Sequence, residues 1–250
     1  AIIPGMETID YLHAEKIKLI QAKDCYRFSL DPVLLADFVT LRNGERILDL
    51  GTGCGVLPLL LARRDPELQV VGWERQPQMV DRACRGVEMS GMTEQISIVE
   101  ADLREYRILA AAGSFDLVVS NPPYRIVGSG RIAPVEERAA ARHEMAGGLS
   151  DFLAAASWCL KNGGRFALVY LAERLSELLV GMTTVGIEPK RLRLVHASHS
   201  EPAKMVLVEG RKRGAVGLKV EPPLHVYKCK IIGKNRDYTD EVLRMYAEKK

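Results

Sequence analysis

The sequence predicts an α/β fold: a seven-stranded, mostly parallel sheet with helices on both faces and an antiparallel last strand. Three observations carry this. From residue 45 to about 186, short apolar runs alternate with helix-length amphipathic segments over short connections, the pattern of repeated β-α-β units. The runs Arg46–Leu50, Gln69–Trp73, Ile96–Val99, Phe115–Val119 and Arg165–Leu171 are mostly apolar rather than alternating, as strands covered on both faces must be. Finally, Arg191–Ala197 and Ala203–Glu209 have no helix-length segment between them, so they pair antiparallel.

Before the alternation begins, Ala1–Gly5 reads as an irregular leader, and Glu7–Ile20 shows no clean period. Lys16–Ile20 alternates like a short strand and is expected to pair with Tyr26–Ser29. Asp31-Pro32 opens a helix, with Asp as N-cap and Pro at the first helical position; it runs through Val39 and ends near Asn43-Gly44. The core helices are expected at Val56–Arg64, Pro77–Ser90, Ser150–Leu160 and Glu173–Val185, closed respectively by Asp65-Pro66, Gly91, Asn162-Gly163-Gly164 and Gly186. The tail holds strand-like Leu218–Val220 and Leu224–Cys229, then a helix over Tyr238–Glu248. These boundaries divide the chain into an N-terminal helix-and-hairpin extension (1–44), a core (45–213) and a small C-terminal β/α extension (214–250).

Composition excludes several classes. The chain has 250 residues, 47% hydrophobic and 27% charged, with net charge +3; this is globular composition, and bulk charge does not argue for nucleic acid. No apolar run approaches a membrane span, and no signal-peptide pattern stands at the N-terminus. Five widely spaced cysteines without a C-x-x-C argue against disulfides and zinc and for a reducing cytoplasm.

Asn121-Pro122-Pro123-Tyr124 follows the strand Phe115–Ser120. Two prolines lack the N–H that a ladder needs, so the strand stops there, and the first proline restricts Asn121 to extended geometry. An amide side chain, a carbonyl and an aromatic ring at the mouth of a sheet suit a planar amine. Alone, the stretch reads equally as a strand stop. Asp49-Leu50-Gly51-Thr52-Gly53-Cys54-Gly55 lies directly after the first core strand. It fits neither the G-x-G-x-x-G dinucleotide pattern nor a P-loop, and its Asp disfavours a pyrophosphate and suits a cationic ligand. Glu74, ending the second core strand, suits both hydroxyls of a ribose. Asp102, after the third, is placed to accept from an adenine amine, or alternatively to cap a loop. All four stand at strand carboxyl ends, where open α/β sheets bind ligands.

With these residues the chain resembles the class I S-adenosylmethionine-dependent methyltransferases, whose sheet is Rossmann-like, over about residues 45–210. Asn121–Tyr124 resembles the motif of amino-methyltransferases acting on exocyclic adenine amines or glutamine amides. The segment Gln21–Asp37 and the tail from Pro222 to Thr239 resemble bacterial tRNA adenine-N6 methyltransferases that act on a valine tRNA. The resemblance implies S-adenosyl-L-methionine as cofactor, S-adenosyl-L-homocysteine as product, no metal, and RNA, in particular tRNA, as substrate. It implies cofactor contacts from Asp49, Gly51, Thr52, Gly53, Glu74, Arg75, Asp102, Leu103 and Asn121, with Phe28 and Asp31 closing the methionine side. Asn121 and Pro122 would accept the amine hydrogens and Tyr124 would stack on the base. A protein glutamine methyltransferase, a small-molecule methyltransferase and a non-catalytic cofactor-binding module are the competing readings.

The long connection 125–148 is read as a lid on RNA phosphates or as a solvated loop; Arg125, Arg138 and Arg142 are its RNA-contact candidates, with Arg211-Lys212-Arg213 as a second cluster. His196 and His199 have no acidic or thiol partner at ligand spacing and are read as strand-end or surface histidines.

Overall fold

The computed structural model describes residues 6–12, 16–23, 29–123, 148–228 and 237–246. The expected strand at Tyr26–Ser29, the 125–148 connection, and Phe28, Tyr124, Arg125, Arg138 and Arg142 fall wholly or mainly outside these residues.

The strands are β1 (Glu7–Leu12), β2 (Ile17–Ala22), β3 (Arg46–Leu50), β4 (Gln69–Glu74), β5 (Ile96–Glu100), β6 (Phe115–Ser120), β7 (Leu160–Leu171), β8 (Ile187–His196), β9 (Ala203–Lys212), β10 (Lys219–Val220) and β11 (Leu224–His225). The helices, omitting two single 3-10 turns, are α1 (Asp31–Phe38), α2 (Val56–Ala62), α3 (Pro77–Met89), α4 (Tyr106–Leu109), α5 (Leu149–Cys159), α6 (Leu175–Thr184) and α7 (Asp240–Tyr246).

The main sheet runs β10-β8-β9-β7-β6-β3-β4-β5, with β11 also on β8. β3 sits in the middle, parallel to β4 and β6. Only six residues separate β8 from β9, too few for a crossover, so β9 turns back antiparallel between β7 and β8. The seven expected strands form the body of this sheet; β10 and β11 lengthen its edge by pairing parallel with β8.

Side chains along β3 alternate between two apolar layers. Ile47 joins a cluster with α1 and α2, whereas Leu48 and Leu50 join one with α5 and α6. Asp49 has the parity of Ile47 and therefore faces the α1–α2 side. Burial on both faces explains why β6 reads Leu117-Val118-Val119 without a polar break.

β2 pairs with the upstream β1, in register from Glu7↔Ala22 to Leu12↔Ile17; the expected partner Tyr26–Ser29 lies mainly outside the described residues. The period of β1 is hidden because Glu7 is buried, held by Arg82 at 3.1 Å and Arg85 at 2.8 Å from α3. Two local expectations, at the starts of α1 and β7, need correction. α1 begins at Asp31 itself, with Leu30 as the flanking residue; the Ser29 hydroxyl donates to Asp31 Oδ2 at 2.7 Å. β7 starts at Leu160, five residues earlier than Arg165. Residues 161–164 bulge out between the pairs Phe115↔Leu160 and Leu117↔Arg165, so Asn162-Gly163-Gly164 is a kink within the strand.

Candidate functional site

The carboxyl ends of β3, β4, β5 and β6 lie side by side, matched by Leu50↔Trp73, Glu74↔Glu100 and Leu50↔Ser120. The chain leaves β3 through a tight turn: the Gly51 and Thr52 N–H groups both donate to the Trp73 carbonyl, at 2.9 and 3.0 Å. Gly51, Gly53 and Gly55 adopt φ of +73°, +58° and +80°, the left-handed region that other residues resist. A Cβ on Gly51 would press on Phe152 at 3.3 Å, and one on Gly55 on Ala83 at 3.2 Å. A Cβ on Gly53 meets nothing within 4 Å. The outer two glycines serve packing, and the middle one presents bare main chain to open space.

Glu74 anchors this turn. Its Oε2 accepts from the Gly53 N–H at 2.9 Å and its Oε1 from the Gln76 N–H at 2.8 Å. Each carboxylate oxygen retains a second acceptor site. Asp49 lies beneath, 1% exposed, and its Oδ2 has no hydrogen-bond partner. The buried Thr52 hydroxyl oxygen is likewise unpartnered. Burial pushes the Asp49 carboxyl up to about 7; the nearby Thr52 hydroxyl pulls it down, without hydrogen-bond geometry, and the Glu74 charge pushes it up. An unsatisfied buried carboxylate beside an open glycine is a costly arrangement that a cationic ligand would relieve.

Asp102 follows β5 and caps a short 3-10 turn, accepting from the Arg104 N–H at 3.0 Å. The Arg104 guanidinium bonds to both its oxygens, and Arg75 stands 3.8 Å away. These arginines hold its carboxyl below the usual range. Leu103 beside it is buried. Asp102 thus caps the turn in the free protein, its carboxylate held in place by Arg104.

On the other side of the glycine turn, the Ser120 hydroxyl donates to the Leu50 carbonyl at 2.8 Å and locks the end of β6 to the end of β3. Asn121, half-buried, and Pro122, buried, follow at once. Asn121 thus leaves the sheet beside Gly51. α1 runs against the strands: the carbonyls at and just after its end, Phe38, Val39 and Thr40, meet Arg191, Arg64 and Arg165, toward the amino edge of the sheet, so its first residue, Asp31, lies toward the carboxyl edge.

The basic cluster Arg211-Lys212-Arg213 does not join this edge. It ends the antiparallel β9, opposite Arg165, the first residue of β7 after its bulge, and Ile187, the first of β8. Arg211 donates to the Gly163 carbonyl at 3.0 Å and Lys212 to the Leu160 carbonyl at 2.8 Å, so both brace the β7 bulge. Phe152, which walls the glycine turn, carries no signal in the sequence, because only the packing of α5 brings it there. Among the described residues, no group of three or more His, Cys, Asp or Glu could hold a metal ion, and no helix is long and apolar enough to cross a membrane.

A family model described as the methyltransferase small domain matches residues 31–180, which hold the glycine turn, Glu74 and Asn121. The chain belongs to this family. A relative of this methyltransferase in Porphyromonas gingivalis, named tRNA1(Val) (adenine(37)-N6)-methyltransferase, is 35% identical over 170 residues, 67% of the chain and 66% of the relative. A Tolumonas auensis protein of the same name is 30% identical over 195 residues, 77% of the chain and 79% of that protein. The chain thus spans just under two thirds of the first relative and nearly four fifths of the second. Among solved structures, a predicted O-methyltransferase from Agrobacterium tumefaciens superposes with a TM-score of 0.69 at 23% identity, over 88% of this chain and 99% of that one. At that identity the likeness establishes the shared α/β methyltransferase fold.

Proposed function

We propose that this methyltransferase transfers a methyl group from S-adenosyl-L-methionine to the N6 amine of an adenine in tRNA, in the cytoplasm, leaving S-adenosyl-L-homocysteine. The observation that carries the proposal is the pairing of Leu50 with Ser120, which sets a glycine turn over an unsatisfied Asp49 directly beside Asn121-Pro122. The names of the relatives supply the acceptor. The extensions 1–44 and 214–250 are assigned to flank a catalytic core of 45–213.

The residues present fit the donor. Asp49 and Thr52 offer unpartnered buried oxygens to its cationic end, Gly51–Gly53 bare main chain, and Glu74 spare acceptor sites to its ribose. Arg75, Asp102 and Leu103 line the adenine side, with Asp102 oriented by Arg104. Asp31 and Phe28 are assigned to the methionine side. When bound, the donor supplies an electrophilic methyl group on a positively charged sulfur. The chain's task is then to hold the amine in line with it. The Asn121 side-chain oxygen and the Pro122 carbonyl accept the two amine hydrogens, which raises electron density on nitrogen and fixes its lone-pair direction. Tyr124 is assigned to stack on the base, a contact worth roughly 1–3 kcal/mol. Arg125, Arg138 and Arg142 are assigned to phosphate.

Nucleoside mass spectrometry of tRNA incubated with the protein and donor tests this directly. N6-methyladenosine in tRNA supports the reading; label incorporated into protein glutamine or into no RNA overturns it.

The buried carboxylate gives a pH prediction. Asp49 titrates near pH 7 when folded and in the ordinary carboxylate range when unfolded. The folded state therefore binds more protons between these values, and the Asp49 contribution to stability falls as pH rises through about 7. Asp49→Asn should flatten this slope in the free protein, melting above wild type at about pH 8 and converging below about pH 4. The wild-type affinity for donor should rise from about pH 6 to 8, as the carboxylate ionises. Calorimetry should find that rise missing in the variant.

A further inference from the structure

Outside the donor and acceptor residues, three histidines meet at the far end of the same sheet edge. His196 ends β8 and pairs in register with His225 of β11, and with Ala203 at the start of β9. The His196 and His225 rings lie 5.5 Å apart. His199, from the β8–β9 turn, lies over His225 with centroids 4.0 Å apart and planes 31° from parallel. His199 is exposed and His225 half-buried. The inner ring is fixed: His196 Nδ1 donates to the Glu201 carbonyl at 2.8 Å.

The position matters more than the residue type. β8 runs parallel to β6, with β7 and β9 between them. His196 therefore lies at the carboxyl edge, three strand spacings across from Asn121 and about three residues further along by register, or roughly 17 Å in all. A nucleic acid with one base at Asn121 spans that distance with its neighbouring nucleotides. The surrounding charges leave the imidazoles available. Glu241 is paired with Arg193 at 2.8 Å, the Glu201 carboxylate accepts from the Ser198 hydroxyl at 2.9 Å, and Lys228 pairs with Asp240. Lys204, exposed and next to Ala203, adds a positive charge at the same end.

We propose that His199 and His225, braced by His196, form a phosphate-binding patch for the tRNA substrate that takes up protons as the RNA docks. The proposal rests on the tRNA reading above. Glu241 acts on His225 but is itself paired with Arg193, and imidazoles have only N–H groups to offer once protonated, which suits a phosphate oxygen. In the free protein, burial and the neighbours His199 and His196 hold His225 below the ordinary histidine range. A phosphate against the cluster favours the charged forms, and the gain grows as pH falls.

Titration calorimetry of the full chain with tRNA, in buffers of different ionisation enthalpy at pH 6 and 8, tests this. Wild type should show net proton uptake, and affinity roughly three- to sixfold higher at the lower pH for one histidine raised by one unit, about tenfold being the limit well below both pKa values. The double variant His199→Gln, His225→Gln should lose the uptake and the pH dependence, and at pH 6 its salt slope should fall by about one per lost phosphate contact. Donor affinity and melting temperature at pH 8 should match wild type. Since His199 is exposed, His199→Gln alone carries the test if the double variant does not fold. Binding without proton uptake, or uptake retained in the variant, overturns the patch whatever the methylation assay shows. Absence of N6-methyladenosine from wild-type reactions overturns the functional reading whatever the calorimetry shows.

Discussion

Asn121→Ala is expected to lower the rate of methyl transfer by about two to three orders of magnitude, the range found when one polar group aimed at a transition state is removed, while donor affinity stays within a few-fold of wild type. The separation follows from topology. Most of the assigned donor-side groups follow β3, β4 and β5, with Asp31 at the start of α1, whereas Asn121 sits at the end of β6, where its assigned task is the acceptor amine. The β3–β6 register, which ends at the Leu50↔Ser120 pair, and the Ser120 hydroxyl bond to the Leu50 carbonyl hold the two halves together, and the substitution leaves both in place. Asn121→Gln is the sharper variant. It keeps the amide but moves it outward by one methylene, and a misplacement of about 1 Å can cost on the order of a hundredfold. If placement is what Asn121 provides, the two variants should be similarly impaired in single-turnover assays with donor saturating. Turnover within tenfold of wild type in Asn121→Ala would remove the amide from the mechanism.

The parts of this site that were legible in the sequence are those with local causes. A strand must stop at Pro122-Pro123, and Gly51, Gly53 and Gly55 announce left-handed turns whatever surrounds them. The regular alternation from residue 45 onward fixes which strand ends share an edge. What stayed hidden depends on partners distant in the chain. β1 looks aperiodic because Glu7 is buried against arginines of α3, and a buried acid breaks the pattern that periodicity relies on. The cap at Asp102 is one of its two sequence readings, but the Arg104 guanidinium across both its oxygens is not foreseen there. The cluster Arg211-Lys212-Arg213 is different, for its position could have been deduced. The absence of a helix between β8 and β9 already required β9 to run antiparallel, and the end of an antiparallel strand lies on the opposite edge from the ends of its parallel neighbours. Net basic character drew attention to these residues, but direction of the strand decides what they can reach.

Glu74→Ala should weaken donor binding more than the loss of a ribose contact alone would. In the free protein the carboxylate joins two main-chain donors from different turns: Gly53 N–H after β3 and Gln76 N–H after β4. Hydrogen bonds to a charged acceptor contribute about 1.5–3 kcal/mol each, so its removal frees the glycine turn as well as deleting the proposed ribose acceptor. Glu74→Gln separates the two effects. The amide oxygen keeps one of the main-chain bonds, but its NH2 group is a donor and would face a backbone N–H on the other side. Calorimetry is therefore expected to rank the affinities wild type, then Glu74→Gln, then Glu74→Ala, with the last weakened by on the order of a hundredfold or more. Hydrogen exchange supplies the second reading. The Gly53 and Gln76 amides should lose protection in Glu74→Ala even without donor, because their acceptor is gone. Equal donor affinity in all three proteins would take Glu74 out of the binding site. Lost protection with unchanged affinity would leave it as a brace for the turn.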